Sequence, residues 1–183
     1  MDLPCTVPLK DGREVTIREA TLEDAFGVLL LIDAIARERR WLLNTDAHWG
    51  VEGQRQWIRS VQMSGGTMLL AEDADGAIVA WADLSRPQAE LAHHTATLGT
   101  GVHESYRGVG LGRELLTLVA AEARRLGIEK LDLNVRSTNT RAIHLYQMLG
   151  WQHEGRSPRA YKQDGEYEDK LYMGLWLDPA PFT

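Results

Sequence analysis

Between positions 102 and 112 the chain reads Val-His-Glu-Ser-Tyr-Arg-Gly-Val-Gly-Leu-Gly, with glycines at 108, 110 and 112 and arginines at 107 and 113. Glycine removes the Cβ atoms that keep a ligand off the backbone, and a loop that opens a helix presents free N–H groups to an anion. The chemistry on offer is a phosphate or pyrophosphate cradle. A merely tight strand-to-helix turn uses the same glycines, so the loop alone leaves both readings open. Two phosphate-binding classes fail on spacing. A P-loop requires Gly-Lys-Ser/Thr, which is absent here. A dinucleotide fingerprint requires G-x-G-x-x-G, and counting from Gly108 and Gly110 the third glycine falls on Arg113. Further along, Asn139 has the side chain of a helix cap, and Tyr146 carries a phenol that can donate a proton at neutral pH. His93 and His94 carry imidazoles, the side chain suited to relaying a proton at neutral pH. Read as strand neighbours they point to opposite faces, and no third ligand has suitable spacing, so they predict no metal site.

The elements that must position these groups follow from periodicity. A strand at 15–18 leads into a helix over 22–38, capped by Thr21, with Leu22, Ala25, Leu29, Ile32 and Ala36 on one face. A loop at 41–50 precedes a second helix over 52–63. Strands at 67–72 and 77–84 flank the Asp-Ala-Asp-Gly turn, and a third strand at 91–102 would carry His94 into the glycine loop. Leu111, Leu115, Leu118, Val119 and Leu126 mark the helix behind that loop, closed by Gly127. A strand at 128–135, a helix from Asn139 to Leu149 and two closing strands at 151–157 and 170–177 complete the order βααβββαβαββ. That order predicts an α/β sandwich with a mixed central sheet and helices on both faces.

With 183 residues the chain can bury roughly 70% of its unfolded surface, enough for one core, so 1–183 is expected to be a single domain. Composition is that of a globular protein, with 44% hydrophobic and 25% charged residues. The longest apolar stretch, Ala77 to Ala82, falls far short of the roughly 20 residues a membrane span needs, and with no basic region followed by an apolar one after Met1 no targeting segment is expected. The single cysteine, Cys5, fits a reducing, cytoplasmic setting. The net charge of −6 argues against nucleic-acid binding, which needs a basic face.

Two segments together carry a resemblance. Arg107-x-x-Gly110-x-Gly112, following the strand that ends at Val102, is similar to the acetyl-CoA loop of the GNAT superfamily of N-acetyltransferases. About 30 residues on, Asn139-x-x-Ala142-x-x-Leu145-Tyr146-x-x-x-Gly150-Trp151 resembles that family's N-x-x-A-x-x-L-Y-x-x-x-G-F pattern, with Trp151 for the phenylalanine. His94-x-Ala96-x-Leu98-Gly99-x-x-Val102, with Glu154-Gly155 and a run from Asp164 to Met173, resembles a bacterial branch of the family that names no substrate.

The resemblance implies a single-domain GNAT-like fold and acetyl-CoA as cosubstrate, without a metal. In it the strand ending at Val102 carries a bulge and splays from the strand at 128–135, and backbone near Val102 and His103 pairs with the pantetheine arm. Backbone amides of Arg107, Gly108, Val109, Gly110, Leu111 and Gly112 would hold the pyrophosphate, Asn139 would bond the pantetheine or a water, and Tyr146 would act as general acid. The family commonly has a glutamate near the position of Thr97, so the base must come from elsewhere, and His94 is the candidate base or relay. His144 is expected off the Tyr146 face. The implied activity is direct transfer of an acetyl group to a primary amine of a small molecule or peptide, with no covalent intermediate at Cys5. The missing base keeps a second class open, a non-catalytic acyl-CoA-binding module. Acceptor selection is expected from the loop at 41–50 and a connection at 158–169, with Trp41, Trp49, Tyr161, Glu166 and Asp169 as its wall. Exposed C-terminal strands offer an edge for a homodimer.

Overall fold

A computed structural model of the protein describes residues 3–42 and 49–177. Its strands are β1 (Cys5–Pro8), β2 (Glu14–Glu19), β3 (Thr67–Glu72), β4 (Ile78–Ser85), β5 (Thr95–Val102), β6 (Lys130–Arg136), β7 (Gln152–Gln163) and β8 (Glu166–Trp176). The helices are α1 (Ala25–Arg37), α2 (Gly50–Met63), α3 (Leu111–Arg125) and α4 (Thr140–Met148). All eight strands join one sheet in the order β1-β2-β3-β4-β5-β6-β8-β7. Every neighbouring pair is antiparallel except β5 and β6, which are linked through α3 and run parallel. The expected mixed sheet with helices on both faces is therefore the fold observed.

Side-chain alternation divides the core into two layers. Leu69, Ala71, Ala80, Ala82 and Leu84 face the larger cluster, which takes in α3 and α4 through Leu111, Leu115, Val119 and Tyr146. Met68, Leu70 and Trp81 face the other way, against Val28, Leu31 and Ile35 of α1 and Ile58 and Val61 of α2. Strand β3 is consequently buried on both sides, which is why it reads as an unbroken apolar run.

Three expectations are corrected. Helix α1 starts after a 3-10 turn at Leu22–Asp24, which shifts its phase. Its buried residues are Ala25, Val28, Leu31, Ile35 and Ala36; Ala25 and Ala36 are buried as expected, but Leu22, Leu29 and Ile32 are only half-buried, because a segment apolar on nearly every side fixes no unique face. Strand β5 begins at Thr95, and His93 and His94 lie in the turn before it, after a 3-10 turn at Glu90–Ala92. The region 158–169 is no connection: β7 and β8 form one long hairpin whose turn is Asp164-Gly165, both at positive φ. Of the expected loop at 41–50, residues 43–48 lie outside the described residues. No described helix is long and apolar enough to cross a membrane.

Leu115 is fully buried beneath the sheet in α3. Leu115→Ala is expected to destabilise the protein by about 2–5 kcal/mol, the range for a cavity left by a truncated core leucine. Urea unfolding should show a lowered midpoint with an unchanged slope.

Candidate functional site

The one parallel pair in the sheet is also its shortest. Strands β5 and β6 pair through Thr95–Lys130, Ala96–Leu131 and Thr97–Asp132, and the ladder ends there although both strands continue. Beyond that point lies a cleft of about 1430 Å³. The expected bulge is absent from the other side of β5, whose register with β4 runs unbroken from Ser85–Thr97 to Ala80–Val102. The strands part without it. His103 donates its backbone N–H to Val79 O at 2.9 Å, and antiparallel alternation then turns the peptide groups of Thr100 and Val102 toward the gap. Of the two expected there, Val102 turns its peptide group toward the cleft, while the His103 amide pairs with β4. The His103 ring caps the short 3-10 turn at Glu104–Tyr106 and shares a 2.7 Å hydrogen bond with Ser105 Oγ.

The glycine loop runs along the cleft into α3. Gly108 and Gly110 have φ of 84° and 99°, a left-handed backbone that other residues adopt only under strain. A Cβ on Gly112 would come within 3.4 Å of Leu145, so its absence leaves room where the loop crosses α4. Gly110 is the N-cap of α3 and makes no side-chain cap, which leaves the first-turn amides facing outward. Leu111 contributes only its backbone, since its side chain is fully buried in the core. Two cations lie over the loop that spacing gave no reason to place there. The side chain of Lys10 lies 3.7 Å from the position of a Gly110 Cβ, and Arg141 Nη2 lies 2.9 Å from that of Gly108. Lys10 also donates its backbone N–H to Val109 O, so the β1–β2 turn braces the loop.

Arg107 does not extend its charge toward the loop's amides. Its Nη1 and Nη2 donate to Glu38 at 2.7 and 2.5 Å, and its Nε donates to the Val102 carbonyl at 2.8 Å. Glu38, just past α1, also accepts from the Trp41 indole at 2.6 Å. The hydrogen bonds from Arg107 hold the Glu38 carboxyl below the ordinary carboxylate range. The residue expected beside a pyrophosphate is instead a strut between the glycine loop and the α1 layer.

Asn139 caps α4, its Oδ1 accepting from Ala142 N at 3.2 Å, and it lines the cleft. Tyr146 lines the cleft as well, with its ring packed against Trp151 at a centroid distance of 5.8 Å. Burial pushes its phenol up to about 12, so it keeps its proton throughout the neutral range. His144, exposed where Tyr146 is buried, also lines the cleft. His94 does not: it is exposed, and its carbonyl accepts from Glu129 N at 2.8 Å at the far end of β5.

The opposite wall is formed by β4, β5 and the α1 layer. Trp41, Trp49, Trp57 and Trp81 line it and Tyr161 of β7 also reaches the cleft, while Glu166 and Asp169, which were expected beside them, do not. Asp169 is engaged by Arg156 and by the amide of Arg159. Asp83, which no motif singled out, lines this wall and is 5% exposed. The available signal was an acid two residues from Trp81 in an otherwise apolar strand. A carboxylate at that spacing faces the same side as the tryptophan.

Comparison with known proteins agrees with this geometry. The profile of the acetyltransferase (GNAT) family matches residues 32–151. The L-methionine sulfoximine/L-methionine sulfone acetyltransferase of Pseudomonas paraeruginosa is 29% identical over 173 residues, 90% of this chain and 96% of that protein. The crystal structure of a GNAT-family acetyltransferase from Streptococcus pneumoniae superposes with a TM-score of 0.82 at 28% identity, covering 88% of this chain and 99% of that one. A Salmonella typhimurium structure described as a putative acetyltransferase with its cofactor acetyl-CoA shares the fold, with a TM-score of 0.82 at 24% identity over 91% of this chain and 96% of its own.

Because Arg107 holds Glu38 ionised, the pair stabilises the fold above the ordinary carboxylate range, and that contribution is lost as pH falls through the lowered value. Glu38→Gln should cost about 1 kcal/mol at neutral pH, a figure kept low for a pair partly open to solvent. Unfolding curves of the two proteins should converge as pH falls through and below the ordinary carboxylate range.

Proposed function

This chain belongs to the GNAT family of acetyltransferases, and from that membership we propose that it passes an acetyl group directly from acetyl-CoA to the primary amine of a small molecule, with Tyr146 as the acid. The observation that carries the reading is the meeting, in one cleft, of the parted β5–β6 edge, the amides opening α3 and a buried phenol. Acetyl-CoA supplies an activated thioester. The cleft fits that ligand: the positive-φ glycines bare the loop backbone, Arg141 brings positive charge to Gly108 with the Lys10 side chain beside Gly110, and the Thr100 peptide group and the Val102 N–H suit an amide-bearing arm. In this reading the amides from Arg107 to Gly112 hold the pyrophosphate, and Asn139, its oxygen engaged by the helix, donates through Nδ2. The bound relative named above supports the choice of cosubstrate.

Tyr146 fits the acid role because departure of a thiolate needs a proton at neutral pH, and a phenol raised to about 12 retains one to give. Direct transfer is supported by the place of Cys5, on β1 and outside the cleft wall. His94 is withdrawn from the catalytic set, since its exposed turn lies outside that wall. Among acceptors we place small amino-acid analogues first, supported by the substrates named for the Pseudomonas relative. A cytoplasmic location and a homodimer through the β7 edge belong to the same reading. Sedimentation tests the dimer.

The experiment is release of CoA thiol from acetyl-CoA across primary amines, including L-methionine sulfone, L-methionine sulfoximine, polyamines, aminoglycosides and short peptides. The strongest release is expected with the sulfone or sulfoximine; acetyl-CoA binding without release to any amine overturns the enzyme reading. Tyr146→Phe should lower kcat by about 10²–10⁴, the usual worth of general acid catalysis, with acetyl-CoA affinity unchanged by calorimetry. Full turnover in that variant removes Tyr146 from the mechanism.

A further inference from the structure

The cleft wall contains a buried charge whose partner is missing. Asp83 accepts two hydrogen bonds, both from neutral groups: the Trp81 indole donates to Oδ1 at 3.2 Å and Ser85 Oγ donates to Oδ2 at 3.3 Å. No lysine, arginine or histidine among the described residues pairs with it, although a carboxylate taken out of water is ordinarily matched by a cation. Two acceptor positions per oxygen leave room for further donors.

The sheet is shaped around this group. Gly99 stands directly across the ladder on β5, and a Cβ there would overlap Asp83 Oδ1. Gly101 in turn yields its space to the Trp81 ring. On the β3 side the partner is Met68, so neither flanking strand sets a titratable group against the carboxylate. From the helical layer, Trp57 packs edge-on to Trp81 at 6.2 Å. The other titratable groups lining the cleft are Lys10, Arg40, Tyr106, Arg107, Arg113, Glu114, Arg136, Arg141, His144, Tyr146 and Tyr161, and none of them hydrogen-bonds or pairs with Asp83. Arg107 is held by Glu38, and Arg136 by Glu168. No charged side chain contributes to the state of Asp83. Burial raises it to about 6 against the pull of Trp81 and Ser85, so it is a carboxylate at neutral pH and a much better proton acceptor than an ordinary one.

We propose that Asp83 is the proton acceptor of the reaction: the ammonium of the incoming acceptor docks against its carboxylate, supplies the missing cation and gives up one proton to it. The inference rests on the acetyl-transfer reading above. One N–H bond of the ammonium breaks, its electron pair stays on nitrogen as the nucleophile, and an O–H bond forms on Asp83, which later releases the proton to water. The second N–H proton leaves nitrogen as the amide forms and restores the Tyr146 phenol, whose own proton has gone to the thiolate. Thr97, where the family commonly has its acid, lines the same cleft from β5 beside Ser85. The acid has moved one strand across the sheet.

Turnover with acetyl-CoA and L-methionine sulfone is compared for wild type, Asp83→Asn and Asp83→Asn combined with Thr97→Glu. Asp83→Asn should lose about 10²–10⁴ in kcat at neutral pH and keep its CoA affinity. Its activity should recover as pH rises toward the pKa of the amine, and at neutral pH with an analogue whose amine is already uncharged. Thr97→Glu should restore part of the loss. Wild-type turnover in Asp83→Asn, or an equal loss at every pH and with both amines, overturns the proposal and leaves the acetyl-transfer reading standing. Wild type that releases no thiol with any amine defeats that reading first. Melting temperature gives a readout independent of activity. A carboxyl raised above its unfolded value loses stability as pH rises from about 4 to 6, so Asp83→Asn should melt higher than wild type near pH 8 and alike near pH 4. Identical melting at both pH values shows that no unpaired charge is buried there, and refutes the proposal.

Discussion

Parallel pairing between β5 and β6 lasts for three residue pairs and then stops, and the rest of the molecule is arranged around the consequence. A sheet interior normally satisfies each peptide group with a neighbouring strand. Here alternate peptide groups of β5 beyond Thr97, those of Thr100 and Val102, face an opening, because β6 parts from β5 after Asp132. The same departure sets the amino end of α3 beside the opening, because the loop that leaves β5 must turn at once to start the helix. Edge and amides are thus products of one topological event, a strand-helix-strand crossover whose second strand pairs at its start only.

The two helical layers bring different chemistry to that opening. From α3 and α4 come backbone donors and the Tyr146 phenol, held by a core of leucines. From α1 and α2 come tryptophans and, beneath them, Asp83 on the sheet. Arg107 joins the layers, with one nitrogen on the Val102 carbonyl and two on Glu38. A pair that is only partly buried adds modestly to global stability. Its importance is positional, since it ties the loop at the mouth of the cleft to the helix that carries the aromatic wall.

The sequence made some of this legible and concealed the rest for physical reasons. Glycines at 108, 110 and 112 announce a bared backbone because no other residue type does so, and the leucine spacing behind them fixes α3. The alternation of Leu131, Leu133 and Val135 likewise fixes the buried face of β6. His94 was misplaced because a 3-10 turn interrupts a run that otherwise looks extended. The length of β7 was hidden by Pro158 and by charged residues, which an edge strand tolerates and an interior one does not. Arg107 was rightly put in the loop, but the direction of a long side chain depends on a partner, Glu38, that is 69 residues away. Asp83 belongs to the same class: a single acid in an apolar strand carries no motif, and only the fold shows that it is buried, unpaired and open to the cleft.

Glycines 99 and 101 give the acceptor wall a hereditary property. Each lies opposite a side chain on β4 that fills the space its own Cβ would take, Asp83 in one case and Trp81 in the other. Neither glycine can gain a side chain unless its partner on β4 gives way, so substitutions at the four positions will not combine additively. Descent from a common ancestor should therefore pass 83 with 99, and 81 with 101, as linked characters. Shifts of acceptor preference that remodel this wall would need paired steps across two strands.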